Sequence, residues 1–345
     1  MKYSTVIAID LAKSVFQVCK MNFDGKIIFN REMSRKKLLE FLAREKATLV
    51  AMESCSTTNY WARYAKEQGH EVKAIAPRRA AAFRQGQKTD ANDAIAIAIA
   101  ATQSQIKSCR IPTVEEQCQQ SIVHMRDLLV RQKVSISNQL RSYLLEFGIP
   151  ITKGDKALRE AIPYVLEDAD NGLTGQFRAC LSQMYEQFIN LIEQVEAFTQ
   201  QLQQSIAQDK VCRRLQALEG VGPVCSVLLK VALGQAEHFS KGREASACLG
   251  LTPVQHSSGG KQKIGSIAKK CGHNMLRSAL FRGALTVVCK LEKREARTGK
   301  EQWLKDLTTR RGKKVAAIAL ANKTVRTALA MIKSDEEYKP QPLVA

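Results

Sequence analysis

The segment Gln-Lys-Thr-Asp-Ala-Asn-Asp-Ala at residues 87–94, followed by an apolar run to Ala101, is the strongest structural signal in the chain. Asp90 and Asp93 are three residues apart, so in a helix their side chains lie on the same face. Thr89 is a favoured N-cap residue, and acids in a first helical turn are stabilised by the helix dipole. Two interpretations follow. The acids only cap a helix, or they also belong to a cation-binding site.

Two acids upstream favour the second interpretation. Asp10 ends a short apolar strand at 4–10, and Glu53 ends a buried-type strand at 48–53. A carboxylate at such a place costs free energy unless a cation meets it. If the strands are neighbours, these acids and the downstream pair converge on one edge of the sheet. Four oxygen ligands without His or Cys suit Mg²⁺ or Mn²⁺, and two such ions can serve phosphoryl transfer.

The first 110 residues alternate between strand and helix patterns. The turn signal at 22–25 predicts a hairpin, and Ser34 suits the N-cap of the first helix. Strands are predicted at 4–10, 14–21, 26–31, 48–53 and 71–75, and helices after Ser34 and at 57–68, 77–85 and 89–104. This order predicts a mixed sheet with helices packed against it, as in the ribonuclease H arrangement.

The pattern then becomes wholly helical. Residues 114–147 fall near an a/d register, and apolar residues from Phe177 to Leu202 alternate spacings of four and three, which predicts a coiled-coil seam. Two such helices form an antiparallel hairpin, or dimerise, or both. The connection at 148–175, which contains Gly, Pro and Asp, is predicted to be loop-rich. The fold class expected for the whole chain is therefore α/β plus all-α.

A glycine pair follows the helical part. Gly220-Val221-Gly222 precedes an apolar helix, as in the helix-hairpin-helix motif, where glycines let backbone N–H groups approach a phosphate. An ordinary turn between two helices explains the same residues.

Charge is unevenly distributed along the chain. The 345 residues contain 53 Lys+Arg and 33 Asp+Glu, a net charge of +20. From residue 238 onward there are 22 Lys or Arg and 8 Asp or Glu, so this last third carries most of the excess. Such a surface attracts polyanions, most simply nucleic acid.

Other features predict a reduced cytoplasmic protein. The ten cysteines show neither a C-x-x-C motif nor a zinc-binding spacing. We expect no signal peptide and no apolar run long enough to span a bilayer.

A small polar loop is predicted in the basic part. Ser257 and Ser258 precede Gly259-Gly260, and cationic side chains follow: Lys261, Lys263, Lys269, Lys270 and His273. The loop either binds phosphate or presents a serine nucleophile to DNA phosphate. The residues alone do not decide which serine would attack.

Taken together, these motifs resemble a known family. Asp10, Glu53, Lys88-Thr89-Asp90-x-x-Asp93-Ala94, the Gly220-x-Gly222 hairpin, Gly250-Leu251-Thr252-Pro253 and Ser258-Gly259 with Gly272-His273 occur in this order. The combination resembles the DEDD transposases of the insertion-sequence family one-ten, especially subgroup eleven-eleven, and the related pilin-gene invertase. The resemblance extends from residue 5 to about residue 333.

The resemblance implies three domains: a RuvC-like catalytic domain at 1–110, a coiled-coil region at 111–210, and a transposase domain at 211–345. It implies that Asp10, Glu53, Asp90 and Asp93 bind the metal ions and that Ser258 is the nucleophile. Ser258 lies fifteen residues before His273, which matches the family spacing better than Ser257 does. Ser257 stands where the family has an acid.

The same resemblance implies partners. These are double-stranded DNA, an element-encoded guide RNA, and further copies of the chain in a dimer or tetramer. Because base pairing with a guide would supply sequence choice, the protein would need only backbone contacts. The basic helices near the C-terminus, with Arg310, Arg311, Lys313 and Lys314, are candidates for such contacts, although a solvated helical surface explains them too.

Three functions remain open. The first is a recombinase, either transposase or invertase, that forms a phosphoserine link to DNA. The second is a junction-resolving nuclease that uses only the four acids. The third is a non-catalytic nucleic-acid-binding protein whose acids are structural.

Overall fold

A computed structural model describes residues 3–234, 236, 238–268 and 271–342. The chain divides into two units. The first contains residues 1–113 together with 236–240, and the second contains residues 114–235 and 241–345.

A five-stranded mixed sheet forms the centre of the first unit, which confirms the predicted α/β architecture. The strand order is β3-β2-β1-β4-β5, with β1, β2 and β3 antiparallel and β1, β4 and β5 parallel. The strands are β1 (Thr5–Asp10), β2 (Val15–Asn22), β3 (Ile27–Ser34), β4 (Leu49–Glu53) and β5 (Glu71–Ile75). Because parallel strands share a direction, β1 and β4 end at the same edge of the sheet.

Helices cover both faces of this sheet. They are α1 (Arg35–Arg44), α2 (Thr58–Glu67), α3 (Pro77–Ala81) and α4 (Asp90–Thr102). Side chains alternate along β1, so Ala8 packs with Ile97 of α4 on one face, and Ile9 packs with Trp61 of α2 on the other. Burying such a side chain stabilises the fold by roughly 1.5–3 kcal/mol. The acids at the strand ends are therefore held by a rigid core.

The predicted caps are confirmed. Ser34 Oγ accepts a hydrogen bond from the Lys37 amide at 3.4 Å, and Thr89 Oγ1 accepts one from the Asn92 amide at 3.2 Å. Helix α3, however, ends at Ala81 rather than at residue 85. The residues after it form a loop in which Gly86 has a φ of +75°, a value that few side chains tolerate.

Two long helices of the second unit run antiparallel. They are α5 (Val114–Glu146) and α7 (Gly175–Ala207). Gln119 Nε2 donates to Ser205 Oγ at 3.2 Å and Arg126 Nε donates to Thr199 Oγ1 at 2.7 Å, so numbers rise along one helix as they fall along the other. This is the hairpin alternative of the prediction. The coiled-coil character of the pair stays a prediction.

The prediction of a loop-rich connection at 148–175 is confirmed at 148–154 and 168–174 and wrong between them. Helix α6 (Asp155–Glu167) lies there, with Pro163 in its interior. Leu158 and Ile162 are completely buried in a cluster that includes Leu144 of α5 and Phe188 of α7. Because these apolar contacts outweigh the hydrogen bond that Pro163 removes, the helix forms despite its proline.

The rest of the second unit is helical except for one β-hairpin. Its elements are α8 (Lys210–Leu215), α9 (Pro223–Leu233), α10 (Gly242–Cys248), β6 (Pro253–Ser258), β7 (Lys261–Ile267), α11 (Asn274–Leu291), α12 (Gly299–Arg311) and α13 (Lys313–Ser334). All ten cysteines lie in described parts of the chain, where none is in a disulfide.

Helix α13 corrects the expectation that no apolar run is long enough to cross a bilayer. It meets the length and composition of a membrane span, with a mean hydropathy of 1.4 over 18 residues. Half of that segment is buried inside the protein, against α10, α11 and α12. Its buried apolar residues thus form part of the interior of the second unit.

Candidate active site

Asp10 and Glu53 lie side by side at the carboxyl edge of the sheet. Asp10 is the last residue of β1 and Glu53 the last of β4, and the preceding residues Ile9 and Met52 are directly paired. Each acid follows three or more fully buried residues. The strand arrangement on which the predicted acid cluster depended is therefore present.

The first turn of α4 brings two more acids. Asp90 and Asp93 lie there, and the Asp93 amide donates to the carbonyl oxygen of Thr89 at 2.9 Å. Because α4 packs against β1 through Ala94 and Ile97, its first turn is held near the end of that strand.

Two polar residues that sequence reasoning missed support this turn. Gln17 lies opposite Asp10 in the β1–β2 ladder and is buried. Its Nε2 donates to Asn30 Oδ1 at 2.7 Å, and Asn30 Nδ2 donates to the carbonyl oxygen of Ala91 at 3.0 Å. This chain of hydrogen bonds ties β2, the strand paired with β1, through β3 to the helix that carries Asp90 and Asp93. The sequence signal for it is weak: Gln17 stands between apolar residues of β2, whereas Asn30 is followed by Arg31 and Glu32 in β3.

The acids influence one another electrostatically. Burial raises the pKa of Asp10 to about 6, with further upward contributions from Asp90, Asp93 and Glu53. Burial is also the main cause of the raised pKa of Glu53, and the charge of Asp93 is the second cause. The Lys88 charge acts in the opposite direction on both carboxyls. Like charges gathered in this way are destabilising unless a cation is added.

A protein cation supplies part of that charge. Arg84 Nη1 donates to Asp93 Oδ1 at 3.0 Å, in an ion pair that is mostly shielded from solvent. Arg84 belongs to the loop where helix α3 was wrongly predicted to continue, so no role was predicted for its side chain. Its side chain now holds the one acid of the four that a counter-ion pairs directly.

The residues present fit a divalent ion by chemistry. Four carboxylates within electrostatic range, with neither His nor Cys among them, are the donors that Mg²⁺ and Mn²⁺ prefer. As they stand, no three His, Cys, Asp or Glu side chains in the described residues are arranged to hold a metal ion.

The serine segment is a β-hairpin rather than the predicted loop. Strand β6 ends at Ser258, Gly259 and Gly260 form the turn with φ values of +53° and +74°, and β7 starts at Lys261. Ser258 pairs with Lys261 in the ladder, and all of β6 is exposed. Gly259 and Gly260 allow a tight turn, because glycine adopts positive φ values readily. The polar residues around them do not by themselves predict a hairpin.

The remaining cations near the serine have different surroundings. Lys261 and Lys263 are exposed on β7. His273 lies at the N-cap of α11, where burial lowers its pKa and so favours the neutral imidazole. Lys269 and Lys270, which were predicted to contact nucleic acid, lie outside the described residues.

Gly220 and Gly222 have different environments. Gly220, with a φ of +79°, packs against the backbone of Gly283 in α11. Gly222 is the N-cap of α9, and a Cβ atom added there would meet no atom within 4 Å. Packing thus explains the first glycine, whereas the second remains open to a ligand.

The basic residues predicted for backbone contacts flank one junction. Arg310 and Arg311 end α12, Gly312 separates the helices, and Lys313 and Lys314 begin α13. Arg310, Arg311 and Lys314 are exposed, while Lys313 forms an ion pair with Glu292 at 2.8 Å.

Comparison with known proteins identifies relatives of both units. Residues 7–149 match a DEDD transposase family model, and residues 212–301 match the model described as "Transposase IS116/IS110/IS902 family". The chain is 35% identical to a probable family 20 transposase of Pseudomonas aeruginosa, over 97% of this chain and 98% of that protein. It is 32% identical to the transposase for insertion sequence element IS1111A of Coxiella burnetii, over 98% of this chain and 92% of that protein. It is also 32% identical to the transposase for insertion sequence element IS1328 of Yersinia enterocolitica, over 94% of this chain and 95% of that protein.

Proposed function

This chain belongs to the IS116/IS110/IS902 family of transposases, and from that premise we propose that it recombines DNA through Ser258 and the four acids of its sheet. The observation that supports the proposal most strongly is the convergence of Asp10, Glu53, Asp90 and Asp93 on one edge of the sheet. Family membership alone indicates a DNA-cleaving enzyme that depends on a divalent metal.

In the proposed reaction, Ser258 Oγ attacks a DNA phosphorus atom. The Oγ–P bond forms, the bond from phosphorus to one DNA oxygen breaks, and that oxygen leaves as a hydroxyl with the proton that serine gives up. A hydroxyl of another DNA end then attacks the phosphoserine, forming a new phosphodiester and returning the proton to Ser258. No external energy source is needed, because each step exchanges one phosphate ester for another.

The four acids have the ion-binding role in this proposal. Asp10, Glu53, Asp90 and Asp93 would hold Mg²⁺ or Mn²⁺, as two ions, which when bound supply electrophilic activation of the phosphodiester. The acids are held by a rigid core, and their mutual repulsion favours cation entry. Arg84 pairs with Asp93 Oδ1, so it would compete with a metal ion for the charge of this carboxylate.

Basic residues of the second unit would position the nucleic acid. Lys261 pairs with Ser258 across the hairpin, and Lys263 lies two residues further along β7. Arg310, Arg311 and Lys314 are exposed for phosphate contacts. Gly222 keeps the N-terminus of α9 open to a phosphate, as in a helix-hairpin-helix. Lys313 is engaged by Glu292 and would contribute only after that pair opens.

We further propose the partners and organisation that the family resemblance implies. The parts at 1–110, 111–210 and 211–345 would act as catalytic, coiled-coil and transposase domains. A guide RNA would select element ends and target, the coiled coil would join copies of the chain, and the protein would work on the cytoplasmic nucleoid. The excess positive charge after residue 238 supports a polyanionic partner.

A covalent-trapping assay tests this function. The protein, purified with any RNA it carries, is mixed with labelled element-junction DNA and Mg²⁺ and then denatured. We expect a protein-linked DNA band that disappears in Ser258→Ala and in Asp90→Ala. Free cleaved DNA that persists in Ser258→Ala would make the protein a nuclease that uses only the acids. DNA binding without any cleavage in the unmodified protein would make it a non-catalytic binder.

A further inference from the structure

The second unit contains a cavity whose lining residues are distant in the sequence from the four acids and from Ser258. It has a volume of about 750 Å³ and is bounded by the start of α12, the middle of α13 and residues 338–342. Small-molecule sites typically measure about 300–1,000 Å³. The cavity is therefore large enough for one nucleotide.

One wall of the cavity combines an indole ring with a free cation. Lys323 Nζ lies 4.5 Å from the centre of the Trp303 ring. In the described residues no carboxylate lies within ion-pair distance of Lys323. Partial burial lowers the pKa of Lys323, and the positive charges of Lys300 and Arg326 lower it further. Glu219 acts on this pKa in the opposite direction with the smallest effect, and Asp306 also lines the cavity. Lys323 therefore lies in a positive environment that an anion would stabilise.

A hydrogen-bonded cluster forms another part of the lining. Lys300 Nζ forms an ion pair with Glu219 Oε2 at 2.6 Å, and the Tyr338 hydroxyl donates to Glu219 Oε1 at 2.9 Å. Lys300 also lies 5.2 Å from the centre of the Tyr338 ring. These contacts offset the charge of Lys300 in part and hold the Tyr338 ring at the cavity. Among the described residues, Lys323 and Lys339 are the lysines of the lining that no ion pair engages.

We propose that this cavity binds one unstacked nucleotide of a nucleic acid, with the base against Trp303 and the phosphate on Lys323. A phosphate draws Lys323 away from the indole and frees the ring face for the base. Aromatic rings accept any base in this way, and a nearby cation holds the backbone. The exposed Lys323 and the neighbouring Lys339 leave the cavity accessible to a polymer rather than only to a free nucleotide. This inference rests on the proposed function, since it assumes that nucleic acid reaches the second unit.

Tryptophan fluorescence offers a direct test, because the chain has two tryptophans and Trp61 is completely buried in the first unit. The full-length protein is titrated with a paired DNA duplex, with the same duplex carrying one unpaired adenine, with the two corresponding RNA duplexes, and with AMP. We expect the bulged duplexes to quench Trp303 and to bind about tenfold more tightly than the paired ones, as loss or gain of one stacked base implies. The preferred bulge, DNA or RNA, shows which polymer supplies the nucleotide.

Variants separate the cavity from general binding. Lys323→Gln and Trp303→Ala should lose the preference for the bulge while keeping the affinity for paired duplex. Trp303→Phe should keep the preference and lose the fluorescence change, which guards against a folding defect in Trp303→Ala. Arg310→Gln, the matched control, should weaken paired and bulged duplexes equally.

Other outcomes overturn the proposal. Duplex binding without a bulge preference would refute the nucleotide cavity and leave the proposed function standing. Quenching by AMP without a bulge preference would make the cavity a site for free nucleotides and refute binding of a polymer. If neither DNA nor RNA binds, the proposed function fails together with the inference.

Discussion

Gly220 and Gly283 meet backbone to backbone: a Cβ atom on Gly283 would lie 1.9 Å from the carbonyl oxygen of Gly220. A Cβ on Gly220 would lie 2.7 Å from the carbonyl carbon of Gly283. Backbone atoms cannot rotate away as side chains can, so each glycine is required by the other. The turn before α9 is thereby locked onto α11, and its first glycine needs no phosphate ligand to explain it.

Gly283→Ala is therefore expected to destabilise the protein by about 3 kcal/mol or more, because α11 and the turn must separate. Gly222→Ala is the matched control. Its φ of −95° suits any residue and its Cβ would meet no atom within 4 Å, so its free energy of unfolding should change by less than about 0.5 kcal/mol. Urea unfolding of both variants checks this, and a Gly283→Ala protein as stable as the unmodified one would contradict it.

The same control tests the helix-hairpin-helix. If backbone amides at Gly222 approach a DNA phosphate, an added methyl group at that position should weaken duplex binding about tenfold at unchanged stability. Binding is measured by anisotropy at two salt concentrations. Unchanged affinity in Gly222→Ala would show that the segment is an ordinary turn between helices.

Local signals predicted much of the first unit. Ser34 and Thr89 were identified as N-caps because their side chains satisfy exposed helix amides, and both make those bonds. Asp10 and Glu53 were placed at strand ends by the apolar runs before them, and parallel pairing of β1 with β4 brings them together. Signals confined to a few consecutive residues were enough for these features.

Features that depend on distant residues were missed. Helix α6 forms because Leu158 and Ile162 bury against α5 and α7, which the local Pro163 does not suggest. Arg84 acquires its role only when the loop before α4 brings it to Asp93. Gly283 reads as an ordinary helical glycine until the turn of Gly220 lies against it. In each case the partner lies outside the local segment that a sequence pattern describes.

The raised pKa of Asp10 predicts a dependence of stability on pH. Because the folded-state pKa is about 6 and the usual value is 3.8, ionised Asp10 destabilises the fold above pH 6, and this penalty disappears as the pH falls below 4. Partial solvent screening reduces the penalty to about 1–2 kcal/mol. Asp10→Asn should therefore stabilise the metal-free protein at pH 7.5 by about that amount and have little effect at pH 3.5.

Calorimetry in EDTA across this pH range would measure the difference. Mg²⁺ should reverse it, since the unmodified protein gains a bound ion that Asp10→Asn binds more weakly. A stabilising effect of Asp10→Asn that stays constant from pH 3.5 to 7.5 would show that its carboxyl has an ordinary pKa.

Arg84 is expected to compete with metal ions for Asp93. Arg84→Gln should lower stability in EDTA by about 0.5–1 kcal/mol and increase the affinity for Mn²⁺ several-fold, because Asp93 no longer has a protein counter-ion. Lys36→Gln removes the same charge from an exposed position on α1 and should change neither quantity. Mn²⁺ binding followed by electron paramagnetic resonance gives the affinity without any need for catalysis. Equal affinities in the two variants would exclude competition by Arg84.

The hairpin geometry separates the two adjacent serines. Ser258 is the last residue of β6, directly before the turn of Gly259 and Gly260, whereas Ser257 lies one position earlier, opposite Gln262. Side chains of consecutive strand residues point to opposite faces, so only one of the two hydroxyls faces a given DNA strand.

Ser257→Ala should therefore form the covalent DNA adduct at a rate within about threefold of the unmodified protein, and Ser258→Ala should form none. Ser258→Cys is a further check on the position of the attacking group. A thiol at this place can attack phosphorus weakly, and it can also bind Mn²⁺. Mass spectrometry of the trapped peptide would identify the modified residue, and an adduct on Ser257 would move the nucleophile to the opposite face of the hairpin.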